Sequence, residues 1–302
     1  MHAISQDALA RSSKANGWQG WLPLFGLPIA AIASRSRVPP WLFMWALSFS
    51  IFAGLKWMTW WNDRTIVHRS FGRSVAYLLA WPGMDAATFL NPNQRHAPPA
   101  FREWLWAIAK TALGVLLLWT VARQIPAEQL LLRGWIGLVG LVLLLHFGSF
   151  HLIALFWQAR GVNAEPIMSK PILSKTLSEF WSKRWNLGFR QLAHDFIFQP
   201  LHRRIGVVAA GFLVFVLSGL IHDLVISLPA RTGYGLPTAY FILQGLGVTW
   251  ERSDVGRRLG LRSGPPARIF AFVVTATPAY WLFHPPFVLR VIVPFMQAIH
   301  AL

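Results

Sequence analysis

The chain has 302 residues, 55% of them hydrophobic and only 13% charged, with a mean hydropathy of +0.45; a soluble domain carries about 25% charged residues, so a single integral membrane domain over residues 1–302 is expected. The net charge of +17 does not mark a nucleic-acid binder, because the Lys and Arg residues lie in short segments between apolar runs and form no continuous basic face. With no Cys, disulfides, thiolate metal sites and Cys nucleophiles are excluded.

The first residues, MHAISQDALARSSKANGW, place Arg11 and Lys14 ahead of the first apolar run, and no small-residue cleavage pattern follows, so a retained first span is expected. Apolar runs occupy 18–33, 40–55, 104–121, 134–158, 205–228, 236–250, 268–283 and 286–302. At ~20 residues per crossing they predict about eight spans. Several runs are short or carry proline (Pro23, Pro28, Pro237, Pro278, Pro294), which predicts tilted, broken or re-entrant helices embedded in protein. The stretch SVAYLLAWPGM, residues 74–84, is too short to span and reads as a half-buried or interfacial segment anchored by Trp81. The expected fold class is therefore all-α, a polytopic membrane helix bundle with short re-entrant or interfacial helices.

Residues 159–204 hold eight Lys or Arg and residues 251–268 hold five Arg, whereas 229–235 holds only Arg231. The positive-inside rule places both basic segments in the cytoplasm. Working outwards, residues 56–103 fall inside and 122–133 outside, both termini come out cytoplasmic, and Arg35 and Arg37 on an outer loop run against the rule.

Ionisable groups at membrane depth are costly without a partner or a task. His222 and Asp223, in FLVFVLSGLIHDLVISL, are the clearest, preceded by Ser218 and Gly219, small residues that permit close helix approach. A neutral imidazole there suits a general base, and a satisfied structural pair is the equal alternative. His146 and His151 lie five apart and do not share one helical face; haem ligation by histidines from different helices stays open. His194, His202 and His284 sit at predicted membrane edges and read as solvated polarity. The GLG at 245–247 lies inside an apolar run and reads as a helix-packing site rather than a phosphate loop.

The most unusual stretch is TLSEFWSKRWNLGFR, residues 176–190. Thr176 and Glu179 fit a T-x-x-E cap, which predicts a short helix from Leu177 carrying Phe180, Trp181 and Trp185 as aromatics and Lys183, Arg184 and Arg190 as cations. It reads as an amphipathic membrane-surface helix, or as an active-site floor in which Asn186 is buried and the cations attract phosphates.

LSEFWSKRWN, then SGLIHD, then YFILQGLGVTWE, resemble in order three blocks of the wax synthase branch of the membrane-bound O-acyltransferases, and LAWPGMDAATFL at 79–90 looks like the bacterial members. The blocks span residues 176–251. The resemblance implies an acyl-CoA-dependent O-acyltransferase acting on a lipid or other alcohol acceptor, without metal or redox cofactor and with acyl-CoA as co-substrate. It implies His222 as catalytic base and Asn186 as its polar companion, with Trp181, Lys183, Arg184, Trp185, Arg190 and Asp223 toward the substrates. It also suggests a bacterial inner membrane. Asp223 stands where the pattern has Glu, and Lys183 where it has Arg. A polytopic transporter or a non-enzymatic lipid-binding protein is the competing reading.

Overall fold

The apolar runs form helices because nothing else satisfies every backbone group within its own segment in lipid. The structure, a computed structural model, describes residues 17–63 and 70–302; Arg11 and Lys14 lie outside these. Among the described residues there is no strand. In chain order the helices are α1 (Leu22–Ala33), α2 (Pro40–Asp63), α3 (Phe71–Ala80), α4 (Ala86–Leu90), α5 (Phe101–Gln124) and α6 (Leu130–Ala159). Then come α7 (Leu177–Glu179, continued by a wide π-helical turn, Phe180–Arg184), α8 (Leu187–Ala193, continued to Ile205), α9 (Val207–Ala230), α10 (Leu236–Arg252), α11 (Asp254–Arg258), α12 (Gly264–Leu282) and α13 (Pro285–Ala298).

The span count differs from the expected eight. Among the described residues four helices, α2, α5, α6 and α9, are long and apolar enough to cross a bilayer, and a fifth span results if α12 and α13, bent by 55° at their junction, count as one. Helix α1 has only 12 residues and packs on α2, where Gly54 lies against the backbone of Leu24. Helix α10, at 17 residues, is shorter than those four spans yet joins opposite ends of the bundle: its start is bonded to Asp223 late in α9, and its last turn is bonded to the start of α7.

The run 286–302 is not a returning pass. Val288 and Met296 of α13 seat against Gly134 and Gly137 in the first turns of α6, and Arg123, at the end of α5, bonds the carbonyls of His300 and Ala301. The last residues therefore lie at the end of the bundle opposite the basic segments, which corrects the expected cytoplasmic C-terminus. Small residues set the closest approaches. A Cβ on Gly114 of α5 would come within 2.6 Å of the Leu144 backbone in α6. Leu105, Trp106, Ile108 and Leu113 of α5 are exposed and form a lipid-facing surface.

Trp81 does not anchor at an interface. It is 5% exposed and stacks on Phe89 at 5.7 Å, within a core that includes Tyr77, Leu90, Ala154 and Val162.

Candidate active site

Helix α9 carries His222 at its wide end. The His222 Nδ1 lies 2.6 Å from the carbonyl oxygen of Ser218, one turn back. A carbonyl only accepts, so the imidazole proton sits on Nδ1 and the Nε2 lone pair is left over. The ring packs on Phe241 of α10 at 4.4 Å between centroids and is half-buried.

Asp223 opens a π-helical turn, Asp223–Ser227, a distortion frequent at functional sites, and its carboxylate turns toward α10. Oδ1 accepts from Ser227 Oγ (2.8 Å) and the Gly235 N–H (2.9 Å), and Oδ2 accepts from the Thr238 N–H (3.1 Å) and the Thr238 hydroxyl. Both oxygens thus cap the start of α10, where a negative charge is favoured. Gly219 makes the crossing close, since a Cβ there would sit 2.7 Å from Thr238 Cα. The expected close approach through Gly219 is present, and so is the packing role of the 245–247 glycines: Gly245 faces Phe212 and Gly247 faces Leu177.

Two residues of α10 tie α7 to this centre. Glu251, 3% exposed, accepts the Leu177 N–H at 2.6 Å and the Ser178 N–H at 3.1 Å. Gln244, fully buried, accepts from the Trp181 indole N–H at 3.3 Å and donates to the Val274 carbonyl at 2.8 Å. Trp181 in turn packs on Phe241 at 5.7 Å, the ring that supports His222. The three sequence blocks therefore meet in space. Phe241, Gln244 and Glu251 were not singled out from the sequence, although their spacing puts them along one face of α10 and a Gln inside an apolar run is itself a signal.

The T-x-x-E cap is half realised. Thr176 Oγ1 accepts from the Glu179 N–H (3.0 Å), while Glu179 Oε2 accepts from the Lys175 N–H (2.8 Å) and Oε1 is held by Arg184 (2.6 and 2.7 Å). Burial pushes the Glu179 carboxyl up, but the Lys175 N–H and the Arg184 guanidinium outweigh it and hold it below the usual carboxylate range. Arg184 also donates to the carbonyls of Ser169 and Lys170 (3.3 Å each). Its donors are taken within the protein. Arg184→Gln is expected to lower the melting temperature and leave the KM for an anionic donor unchanged, whereas Lys183→Gln should raise that KM and flatten its salt dependence. Because the folded-state pKa of Glu179 is depressed, the pairing stabilises at neutral pH and is lost as pH falls through that depressed value, so the Arg184→Gln deficit in thermal melts should be largest near neutral pH and shrink on the acid side to the part owed to the Ser169 and Lys170 carbonyls.

Lys183 is exposed. With Lys175, Arg252, Arg262 and Arg268 it lines an open groove of about 420 Å³ that also presents the side chains of Thr176, Ser178, Ser182 and Ser263. Five cations face one carboxylate there, Glu179, which Arg184 already neutralises. The groove joins the two basic segments of the sequence, brought together by the Glu251 cap.

Asn186 has a left-handed backbone (φ 43, ψ 63) and caps α8, its Oδ1 accepting from the Phe189 N–H at 3.2 Å. It is half-buried rather than buried, and its amide Nδ2 is the end left to donate. Trp185 stacks on Phe180 (5.4 Å) and meets Phe147 of α6 (6.1 Å). Arg190 is exposed and bonds only Gln191; it does not line the groove. Among the described residues the arrangement offers an imidazole nitrogen without a bonded partner beside Phe241, near the start of α10, and a cationic groove about α7 and the last turn of α10, with the Trp181 and Phe241 rings between them and the Asn186 amide at the start of α8.

Residues 164–243 match the family described as the membrane bound O-acyl transferase family. Among curated proteins the chain is similar to a probable long-chain-alcohol O-fatty-acyltransferase 1 of Arabidopsis thaliana, 33% identical over 136 residues, 41% of this chain and 39% of the relative. It is 27% identical to a probable long-chain-alcohol O-fatty-acyltransferase 3 of that plant over 213 residues, 65% of this chain and 60% of the relative. It is also 27% identical to an acyl-CoA–sterol O-acyltransferase 1 of the same plant over 136 residues, 42% of this chain and 39% of the relative. The chain thus spans about half the length of these relatives. The resemblance read from the three motif blocks is borne out. The relatives are plant proteins, and they lend no support to a bacterial inner membrane.

Proposed function

We propose that the chain is a membrane-bound O-acyltransferase that moves an acyl group from acyl-CoA to the hydroxyl of a lipid or other alcohol. The observation that carries this reading is His222, whose proton is held on Nδ1 by the Ser218 carbonyl so that Nε2 is the base. Nε2 takes the proton of the acceptor hydroxyl as its oxygen attacks the thioester carbonyl. The tetrahedral intermediate then collapses, the C–S bond breaks, and the departing CoA sulfur recovers the proton from Nε2. The free Nδ2 of Asn186 donates to the developing oxyanion or to the acceptor. The phosphates of CoA lie in the groove of Lys175, Lys183, Arg252, Arg262 and Arg268, where charge-assisted hydrogen bonds suit them. The step needs proton transfer and charge stabilisation alone.

The test is to incubate the detergent-purified protein with labelled acyl-CoA and mixed alcohols. Thioester-dependent ester formation supports the enzyme; its absence across chain lengths favours the transporter or lipid-binding reading.

Donor entry from the cytoplasm adds an orientation. In this Cys-free chain, a single Cys replacing Lys170 or Arg257 is expected to label only from the cytoplasmic side, and one replacing Thr232 or Leu302 only from outside. Outside labelling at 170 would place the groove on the wrong face for cytosolic acyl-CoA.

A further inference from the structure

Lys56 sits in α2 with 1% exposure, and among the described residues no carboxylate pairs with it. An isolated ammonium in a membrane span is expensive, so what holds it is informative. Its Nζ lies 3.1 Å from the ring centroid of Tyr77 and donates to the carbonyl of Gly83 at 2.7 Å. Tyr77 is itself fully buried and its hydroxyl meets Thr59 Oγ1, one turn on in α2, at 2.7 Å. The cation thus clamps the turn after α3 onto α2, through a cation–π contact strengthened by desolvation and one buried hydrogen bond.

That turn supports the active centre. A Cβ on Gly188, in the first turn of α8, would lie 3.4 Å from the Met84 nitrogen and 3.6 Å from Gly83 Cα. Backbone therefore rests on backbone two residues from Asn186. On its other side the same turn is held by the Leu187 N–H on the Ile167 carbonyl (2.8 Å) and the Asn186 N–H on Met168 Sδ (3.3 Å). Asparagine tolerates the left-handed backbone better than other non-glycine residues, so what these contacts fix is less the conformation itself than the direction in which the turn aims the Asn186 amide.

We infer that Lys56 is a positioning residue: by fixing Gly83 and Met84 beneath Gly188, it holds the left-handed turn that aims the Asn186 amide. The inference deepens the acyltransfer reading and rests on it only for the role of Asn186. Its test reads structure and rate separately on the full-length, detergent-solubilised protein. Lys56→Met keeps the apolar stem and removes the donor and the charge. It is expected to speed amide exchange at Phe189, whose N–H is bonded to Asn186 Oδ1, and across residues 83–90 by at least about tenfold, with α5 and α6 unchanged. It should also lower kcat about tenfold with the acyl-CoA KM within about twofold, and add nothing further in an Asn186→Ala background. If Lys56→Met does not fold, Tyr77→Leu, which removes the ring beneath the ammonium, is read by the same measurements. Unchanged exchange at Phe189 overturns the inference whatever the activity, as does a kcat loss that persists at full size beside Asn186→Ala. A protein that forms no ester but shows the faster Phe189 exchange sinks the enzymatic reading and leaves the clamp standing.

Discussion

His222→Ala is expected to lower kcat by about 10²–10⁴-fold, the usual worth of positioned proton transfer, while acyl-CoA binding and the melting temperature stay close to those of the parent. The expectation follows from geometry. The imidazole is half-buried and packs on Phe241, and it is no part of the cationic groove proposed for the phosphates. The rate effect, about 3–5 kcal/mol in barrier at 1.36 kcal/mol per decade, would then come from the missing Nε2. A correctly folded His222→Ala protein that turns over normally would remove the base from α9. The histidine to test next is His146: its Nδ1 is buried without a partner, and its neighbour Phe147 packs on Trp185. His194 is a poorer candidate, because both its nitrogens are engaged, by Asp195 at 3.0 Å and Gln199 at 3.1 Å.

The helical class and the membrane setting could be read from the residues, because hydropathy is a local signal, and His222 and Asp223 stand out in the sequence because an ionisable pair inside an apolar run is local too. The number of spans could not. Whether 286–302 crosses or lies along the helix ends depends on Gly134 and Gly137 opening room for Val288 and Met296, a matter of tertiary packing. The split between Arg184 and Lys183 was hidden for a sharper reason. Residues five apart are not neighbours on an α-helix, and only the π-helical turn Phe180–Arg184 brings Arg184 onto Glu179 and leaves Lys183 to the groove. Similarly, the sequence leaves Asn186 open between a membrane-surface helix and a buried position on an active-site floor, and the structure makes it a half-buried cap. Its left-handed capping geometry depends on the backbone of 83–84 and 167–168, far away in sequence.

Asp223→Asn should lower the melting temperature clearly and kcat by roughly tenfold, far less than His222→Ala, because the carboxylate acts on α10 and not on the imidazole. Four donors converge on its two oxygens: the hydroxyls of Ser227 and Thr238, and the N–H groups of Gly235 and Thr238. The hydroxyls can rotate to accept from an asparagine NH2 group. The N–H groups cannot, so one of them is left facing a donor; Gly235 is exposed and Thr238 half-buried, so the cost lies toward the low end of the about 1–3 kcal/mol of an unsatisfied buried group. The loosened end is where α10 carries Phe241, the floor of His222, so the rate falls through displacement of the base. Asp223→Glu restores both acceptor oxygens at the expense of one methylene to be accommodated, and it should recover most of the stability and activity lost in Asp223→Asn. The measurement is a paired thermal melt and pH–rate profile for the two variants. If Asp223→Asn costs as much in kcat as His222→Ala with its melt unchanged, the carboxylate acts through the imidazole itself, and the Ser218 carbonyl is not what sets the tautomer.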